Sequence, residues 1–484
     1  MDNIKESTCP LSESASLEKL GNDTGSSSPS ISPKNGPSNW PEWLKRLVLF
    51  EVVAQVFMAS WCAPAFIPAF LTMSQEMNKS ISAISYLVGG YALLLGFGVL
   101  LWNPLADRFG RRPVTIVSMI IAVCASCGVA SARSYGNMMA GRILQGFGVC
   151  GGISLGIAYI NDMYNPSDKG RAVGVWTLGI TVGPFLSPLL GGFIAYYTSY
   201  RWILWLCAIL LGALLLLQIA CLPEVQSPPS TVFSFPSLVD FAIPRGENVN
   251  DPPKQQSPVF DSLARTYRAA LLIPVWLVGM AFVVPYCYVV VSLTNLFPVI
   301  YGEVYGFDER AQGLLYIPFL VGSLIAEAFT GRAGDWIVYR GRGTTGVGEQ
   351  SDVVLERRLI LAYGGTVVSI VGLLWFGLTA ERHDHWAILA VGSGVAACGV
   401  QIVASVCYSY IVDCYPESAK EVATVMNLFR SLGSFIVLFY NQQMNDTLGE
   451  GWGFGLQCFM VAFFSFGGLG IISFYGQRIR SLQK

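Results

Sequence analysis

The chain has 484 residues, of which 53% are hydrophobic and 13% are charged, and its 30 Lys and Arg residues nearly balance its 31 Asp and Glu residues. A soluble protein of this length would carry about 25% charged residues. Together with a mean hydropathy of +0.52, this composition excludes a soluble globular protein and indicates a polytopic membrane protein.

Hydropathy predicts twelve membrane spans, because about 20 apolar residues are needed to cross the hydrocarbon layer. The spans are expected near residues 47–70, 84–105, 114–132, 137–160, 172–196, 201–221, 274–299, 311–330, 359–379, 386–411, 422–441 and 452–475. The expected fold class is an all-α membrane protein whose twelve transmembrane helices form two six-helix bundles related by pseudo-symmetry.

Composition along the chain predicts five segments. Ser, Pro, Asn and Gly without an apolar period predict a disordered tail at the start, and a polar, Pro-rich stretch predicts a central loop between the bundles. The segments are a cytoplasmic tail (1–44), an N-terminal bundle (45–222), a central cytoplasmic loop (223–270), a C-terminal bundle (271–475) and a second tail (476–484).

Most Lys and Arg residues outside the predicted spans fall on the same side as the two termini. Because basic residues are retained on the cytoplasmic side, both termini are expected in the cytoplasm. The sequons at Asn78 and Asn445 then lie in outer loops and are candidate glycosylation sites. The plasma membrane is the expected location, with the vacuolar membrane as the alternative.

A charged turn joins spans two and three, and we call Asn103–Pro113 the signature loop. Its charged and glycine residues are Asp107, Arg108, Gly110, Arg111 and Arg112. Lying between two long apolar segments, the loop is predicted to form a short hairpin at the membrane surface. It resembles the signature of the major facilitator superfamily, although Asn103 replaces the leading glycine. In the superfamily the aspartate of this signature pairs with arginines and with a helix end of the second half and so locks one conformation, and the resemblance implies this role for Asp107, Arg108 and Arg112. Alternatively, the arginines only set topology.

Two further segments add candidate gating residues. Placing Asp335 over Asp107 aligns Gly331–Asp335 with the start of the signature loop, which is the repeat expected of a duplicated six-helix unit. The likeness to fungal drug/proton antiporters of the superfamily also includes Asp162 with Arg171, around the loop after span four. The resemblance thus implies that Asp162 and Arg171 take part in gating.

Span four places Arg142, Gln145 and Gly146 on one helical face. A charge near the membrane centre costs ~2.5 to 3.5 kcal/mol on insertion scales, so it tends to persist where something uses it. The run resembles the Arg-x-x-Gln-Gly signature of the same superfamily, which implies a part for Arg142 and Gln145 in substrate or proton handling. The alternative is a structural, hydrogen-bonding arginine.

Span five is dense in helix breakers. They are Gly183, Pro184, Pro188, Gly191 and Gly192. Such residues bend a membrane helix and let a neighbour approach closely. The run resembles the antiporter motif of drug/proton exchangers, although Ser187 stands where a glycine is usual, and the resemblance implies antiport rather than symport. Simple helix packing is the alternative.

Glu51, Glu327 and Arg430 are further charged residues within or near the spans. The two glutamates lie toward the inner ends, where side chains can reach water. Both histidines, His383 and His385, fall in an outer loop. Any proton carrier is therefore expected to be a carboxylate, with Arg142 or Arg430 as its candidate partner.

Polar and aromatic residues of the central helices are candidates for a pocket that would favour amphiphilic, partly aromatic compounds. They are Gln55, Tyr286, Tyr288, Asn295, Gln401, Tyr408 and Asn427. The 12 cysteines fall almost entirely inside spans and are expected to be packing residues, so no metal site is predicted. The sequence holds no phosphate-binding Gly-x-x-x-x-Gly-Lys-Ser/Thr loop. No cofactor is therefore expected, and transport has to use an ion gradient or run downhill.

The sequence thus predicts a secondary transporter that works by alternating access and is not an enzyme. Its resemblance to drug/proton antiporters implies that it exports an amphiphilic organic molecule, such as a drug, toxin or secondary metabolite, in exchange for protons. Proton-coupled uptake of a small organic solute shares every fold feature and is the nearest alternative, and a non-transporting membrane sensor is a third. The expected partners are the substrate, protons and the lipid bilayer, without nucleic acid, and the chain is expected to act as a monomer.

Overall fold

The computed structural model describes residues 40–164, 166–225, 259–342, 350–415 and 418–483. These residues are helical apart from short connections and contain no β-strand. The helices up to residue 221 are α1 (Glu42–Trp61), α2 (Phe70–Met77), α3 (Ile81–Phe109), α4 (Arg111–Ser131), α5 (Tyr135–Met163), α6 (Pro166–Tyr197) and α7 (Tyr200–Cys221). Those that follow are α8 (Val259–Ala270), α9 (Ile273–Tyr286), α10 (Leu293–Phe297), α11 (Glu309–Leu314), α12 (Ile317–Arg342), α13 (Gln350–Glu381), α14 (Trp386–Cys414), α15 (Ala419–Leu448) and α16 (Glu450–Gln483).

Eleven segments of the described chain are long and apolar enough to cross a membrane. One runs continuously from Ile273 to Val304, through α9 and α10, and another joins α11 to α12. We count α1 as the twelfth, because it packs against α5, α6 and α7 although Lys45, Arg46 and Glu51 lower its hydropathy. The predicted all-α membrane fold is confirmed, and the helix count agrees with twelve.

Polar caps and one glycine set the helix ends on which the site depends. Ser80 Oγ accepts a hydrogen bond from the Ala83 N–H (3.2 Å) at the start of α3, which satisfies a backbone donor that has no partner within the helix. At the other end of α3, Gly110 has a φ of +93°, a conformation that glycine adopts without steric cost. Gly110 alone therefore reverses the chain into α4, as the predicted hairpin requires.

Two predicted spans are interrupted. Span one ends as a helix at Trp61, passes through a turn and a 3₁₀ segment (Ile67–Ala69), and continues as α2. Span seven extends beyond its predicted end at residue 299, and it contains π-helical segments at Cys287–Ser292 and Pro298–Val304. Prolines precede or begin these irregular turns, and a proline removes the N–H that a regular helix needs. π-Helical turns occur frequently at functional sites.

Buried apolar side chains form two clusters, one centred on α1–α7 and the other on α9–α16. We call these sets of helices the first half and the second half. The halves meet where α3 packs against α15 and where α6 packs against α11 and α12. Between them in sequence, α8 contacts both α3 and α15. These pairs of helices position the site described below.

The two sequons differ in accessibility. Asn78 is exposed and follows α2 with a φ of +51°. Asn445 instead lies within α15 and is only 3% exposed. A methyl group added at Gly453 of α16 would come within 1.9 Å of Asn445 Oδ1, so the two helices pack tightly over this side chain. The expectation that Asn445 lies in an outer loop is therefore corrected, because α15 extends through it.

We expect a glycan on Asn78 and none on Asn445. In protein expressed in a eukaryotic host, Asn78→Gln should abolish the gel-mobility shift produced by endoglycosidase, whereas Asn445→Gln should leave that shift unchanged. The reason is that Asn78 is exposed beyond the end of α2, whereas the Asn445 side chain is packed between α15 and α16, where a glycan would not fit. A shift that survives Asn78→Gln and disappears with Asn445→Gln would contradict this assignment.

Candidate functional site

A cavity of about 90 Å³ lies between the two halves. Its walls come from α1, α3 and α6 of the first half, and from the continuous α9–α10 span and α15 of the second. Of the predicted pocket residues, Tyr286 and Asn295 line it. The volume is below the ~300 to 1,000 Å³ of sites that hold drug-sized ligands. The halves must therefore separate before such a molecule can enter.

The other predicted pocket residues do not line the cavity. Gln55 accepts a hydrogen bond from Gln218 (3.2 Å) within the first half. In the second half, the Tyr288 hydroxyl pairs with that of Tyr440 (2.8 Å), and Tyr408 donates to Asn427 Oδ1 (3.0 Å). These contacts join helices of one half to each other. Gln401, the remaining candidate, joins the two halves and is described below.

Arg430 is the one charged residue among the described residues that line the cavity. Its Nη1 lies 3.5 Å from the Tyr286 hydroxyl, and its guanidinium carbon lies 5.3 Å from the centre of the same ring. A cation over an aromatic face is attracted by the ring quadrupole. The predicted residue thus reaches the interface between the halves from α15.

Arg142 occupies a different environment, where it is 1% exposed. Its Nη1 donates to the Cys62 carbonyl (2.9 Å) and to Gln145 Oε1 (2.7 Å), and its Nη2 donates to the Ala63 carbonyl (3.1 Å). Those two carbonyls follow the end of α1, where a helix presents unpaired acceptors and a negative partial charge. Arg142 therefore stabilises the broken end of span one, which favours the structural alternative for this residue.

We call the end of the bundle that carries the signature loop the signature end. There Asp107 Oδ1 lies 2.7 Å from Lys420 Nζ, and Asn103 Nδ2 donates to Thr424 Oγ1 (3.0 Å). Lys420 and Thr424 lie in the first turns of α15, so both contacts cross from the first half to the second. Asp107 thus meets a helix end of the second half, as expected, but its ion-pair partner among the described residues is Lys420 and not an arginine of the signature loop. Sequence reasoning missed Lys420, because nothing in its local sequence marks it as the partner.

The backbone and arginines of the signature loop are bound within the first half. The Glu224 carboxylate accepts from the N–H groups of Arg111 (3.2 Å) and Arg112 (3.0 Å), as an anion does at a helix N-terminus. Arg111 also forms an ion pair with Asp162. Arg112 donates to the Ile219 carbonyl (3.0 Å). These contacts fix the loop to α5 and to the end of α7 in the first half, while Asp107 contacts the second half.

The remaining candidate gating residues take other places. Arg108 lies over the ring of Phe109, at 5.3 Å from its centre. Arg171 is exposed on α6. Asp335 falls within α12, but its side chain lies outside the described residues.

Helix α8 adds a bridge at the signature end. Ser262 Oγ donates to Asp107 Oδ2 (3.2 Å), and Arg265 pairs with Glu421 of α15 (3.3 Å). The predicted central loop therefore includes a helix that contacts both halves beside the Asp107–Lys420 pair.

Contacts also cross the interface at the opposite end of the bundle. Ser82 Oγ donates to Gln442 Oε1 (2.7 Å), from α3 to α15. The Thr72 hydroxyl of α2 donates to the Glu309 carboxylate of α11. The two halves are thus bound to each other on both sides of the cavity.

Three glycines of the predicted antiporter motif lie where α6 closely approaches neighbouring segments. A Cβ added at Gly191 would lie 1.9 Å from the Ala65 carbonyl oxygen, and one at Gly183 would lie 2.8 Å from Ser60 Cβ. Both neighbours belong to the first half. Gly192 faces the second half, where a Cβ would lie 2.3 Å from the Glu309 carbonyl oxygen. Pro184 lines the cavity, and Pro188 lies inside the same helix.

The two glutamates differ. Glu51 is fully buried, and neither of its carboxylate oxygens has a hydrogen-bond partner among the described residues. The expectation that Glu51 reaches water is therefore wrong for this conformation. Glu327 Oε2 accepts from Gln401 Nε2 (2.9 Å) and from Ser405 Oγ (2.8 Å). Gln401 Nε2 also donates to Thr181 Oγ1 of α6 (3.1 Å), which links Glu327 to the first half.

Comparison with known proteins agrees with this architecture. The model of the Major Facilitator Superfamily matches residues 52–438, which is most of the chain. The chain belongs to the major facilitator superfamily. It is thus a multi-pass membrane transporter and not an enzyme.

Relatives of this superfamily member include fungal efflux pumps. The probable efflux pump mfs2 of Aspergillus flavus is 27% identical over 432 residues, which cover 86% of this chain and 99% of that protein. Efflux pump radE of Floropilus chiversii is 28% identical over 450 residues, which cover 91% and 81%. The crystal structure of the human organic anion transporter MFSD10 aligns with a TM-score of 0.56 at 15% identity, over 89% of this chain and all of that one. This last similarity shows the fold alone.

Gly192→Ala should destabilise this major facilitator protein, because α6 and α11 would have to move apart to admit the methyl group. Overpacking of this kind costs about 1 to 3 kcal/mol of unfolding free energy. We expect a lower Tm in thermal unfolding of the purified protein followed by tryptophan fluorescence. Gly212→Ala on α7 is the matched control, since no atom lies within 4 Å of the added carbon there. Equal Tm values for the two variants would contradict the close-packing role.

Exchanging the charges of Asp107 and Lys420 tests whether the two side chains interact during transport. Each side chain is 20% to 30% exposed, so we expect an interaction of about 1 kcal/mol or less. Asp107→Lys and Lys420→Asp should each slow transport, because each places like charges across the interface, and the double variant should recover part of the rate. Arg358→Gln, which breaks an ion pair within the second half, is the control. A double variant no faster than the slower single variant would refute the pairing.

Proposed function

We propose that this transporter exports an amphiphilic small organic molecule, with the signature end facing the cytoplasm, in exchange for protons. The observation that carries the proposal is the cavity between two halves that are hydrogen-bonded to each other on both of its sides. Breaking either set of contacts would widen access to the cavity from one side of the membrane, which is what alternating access requires. The names of the fungal relatives support export, and the close packing of α6 at Gly192 agrees with the antiporter motif.

We further propose that Glu327 carries the proton. Its hydrogen-bond donor Gln401 also binds Thr181 of the other half, so separation of the halves changes the donors around the carboxylate. Glu327 is partly exposed, whereas Glu51 is buried in this conformation. Protonation of Glu327 and movement of the halves are therefore physically linked in this proposal. The plasma membrane is the proposed location, and a monomer is the proposed functional unit.

Transport into inside-out vesicles tests the function. We expect a fluorescent amphiphile to accumulate when the lumen is acid and to accumulate much less when the pH is equal on both sides. Glu327→Gln should remove the dependence on the pH gradient, because glutamine cannot release a proton. The same variant should still exchange labelled for unlabelled substrate, since exchange needs only alternating access.

The control for this experiment is Glu303→Gln, at an exposed position near the opposite end of the bundle. It should retain the response to the pH gradient. Accumulation that is independent of the gradient in the wild-type protein would refute proton exchange. Uptake into whole cells, driven by an acid medium, would reverse the proposed direction.

A further inference from the structure

The described lining of the cavity carries charge of only one sign, which is positive. Its described lining residues include hydroxyl, amide and apolar side chains from both halves, but Arg430 is the one ionised group among them. None of these lining residues is an aspartate or a glutamate. A cavity for a cationic compound would be expected to supply a carboxylate, since opposite charges attract strongly in a medium of low dielectric constant.

Arg430 has no acidic partner in the described part of the chain. Its hydrogen-bond partner there is the Tyr286 hydroxyl, at the long distance of 3.5 Å, and its Nε is buried without a partner. Removing an ion from water is costly unless a counter-charge and hydrogen bonds replace the lost hydration. A ligand that brings a negative charge to this guanidinium would therefore gain a charge-assisted hydrogen bond that the protein itself does not supply.

A second guanidinium adds to the positive potential from the first half. Arg142 lies 5.3 Å from the ring centre of Tyr91, and Tyr91 lines the cavity. Unlike Arg430, Arg142 donates hydrogen bonds to the carbonyl oxygens of Cys62 and Ala63, and these bonds stabilise its charge. Arg430 is thus the arginine that a ligand in the cavity can contact. Arg142 does not line the cavity and contributes only to its positive electrostatic potential.

The remaining walls suit an apolar body. Leu95, Val290 and Leu438 line the cavity together with Phe185. These side chains offer contact area but no charge, as is usual in ligand sites where a few polar groups fix orientation. The cavity is too small here for a whole amphiphile, so the apolar part is accommodated only when the halves separate.

We propose that the transported substrate is an amphiphilic organic anion, whose carboxylate, phenolate or sulfonate group binds Arg430. This inference rests on the proposed function and specifies its substrate class. The same geometry disfavours cationic amphiphiles, because a cation in the cavity would face Arg430 without a carboxylate among the described lining residues to offset the repulsion.

Two xanthene dyes of similar size and opposite charge test the proposal. Fluorescein is an anion at pH 7.5 and rhodamine 6G is a cation. Binding to the purified full-length protein in lipid nanodiscs is measured by fluorescence anisotropy, and transport is measured separately in proteoliposomes with a pH gradient. We expect fluorescein to bind at least tenfold more tightly than rhodamine 6G. Arg430→Gln should weaken fluorescein binding at least tenfold, and Arg430→Lys should weaken it less.

The controls separate charge recognition from folding and from the proposed export. Arg382→Gln removes an exposed arginine of the second half and should leave both dissociation constants unchanged. The Tm of each variant reports whether it is folded. Tighter binding of rhodamine 6G, no measurable binding of fluorescein, or fluorescein affinity that Arg430→Gln leaves within twofold would each overturn the anion proposal. Gradient-driven transport of rhodamine 6G would still leave export intact. Arg430-dependent fluorescein binding without transport of any dye would instead sustain the anion site and count against export.

Discussion

The hydrocarbon layer offers no water to polar groups, and this constraint shapes the contacts that join the two halves within it. A polar side chain there must find its partner within the protein. Gln401 donates both to Thr181 of the first half and to Glu327, while the partly exposed pairs Asp107–Lys420 and Ser82–Gln442 join the halves at the two ends of the bundle. Each such bond contributes on the order of 1 kcal/mol net. A few of them therefore hold the halves together without fixing them, and a bound ligand can shift the balance by its differential affinity.

The two arginines of the membrane interior show why residue type alone does not define a role. Arg142 lies beside a helix that ends early, so backbone carbonyls surround its guanidinium. Arg430 projects from an unbroken helix toward a cavity, and its described hydrogen-bond partner is a single tyrosine hydroxyl. The guanidinium of Arg142 therefore finds its hydrogen-bond acceptors within the protein, whereas that of Arg430 keeps donors that can bind a ligand. The difference originates in the break after Trp61, which supplies acceptors to one arginine and not to the other.

Much of the helical layout could be predicted, because a membrane span requires a long apolar run that hydropathy detects. The position of Asp107 at the interface followed from the resemblance of its loop. Its partner Lys420 could not be found in this way, since the contact joins residues 313 positions apart in the sequence. The break in span one was also hidden. Prolines are tolerated in membrane helices, so Pro64 and Pro68 did not by themselves show where α1 ends.

Pocket residues were predicted less well than spans, because hydropathy does not determine how each helix is rotated about its own axis. Hydropathy places a residue at a depth in the membrane, but packing decides which way its helix faces. Tyr286 and Tyr288 are two positions apart, which is about 200° around a regular helix. Only Tyr286 lines the cavity, while Tyr288 pairs with Tyr440. The π-helical turn that begins at Cys287 alters the rotation further, and no local sequence pattern had indicated it.

The two ends of the interface are held by different chemistry. The signature end relies on long charged side chains, including Lys420 and Arg265, which can follow small displacements and which respond to salt. The opposite end relies on hydroxyl donors and on the backbone approach at Gly192, where a shift of an ångström removes the close contact. Separation at the signature end should thus be gradual and sensitive to electrostatics. At the opposite end, separation of the halves should be abrupt, because the van der Waals contacts of close packing vanish over short distances.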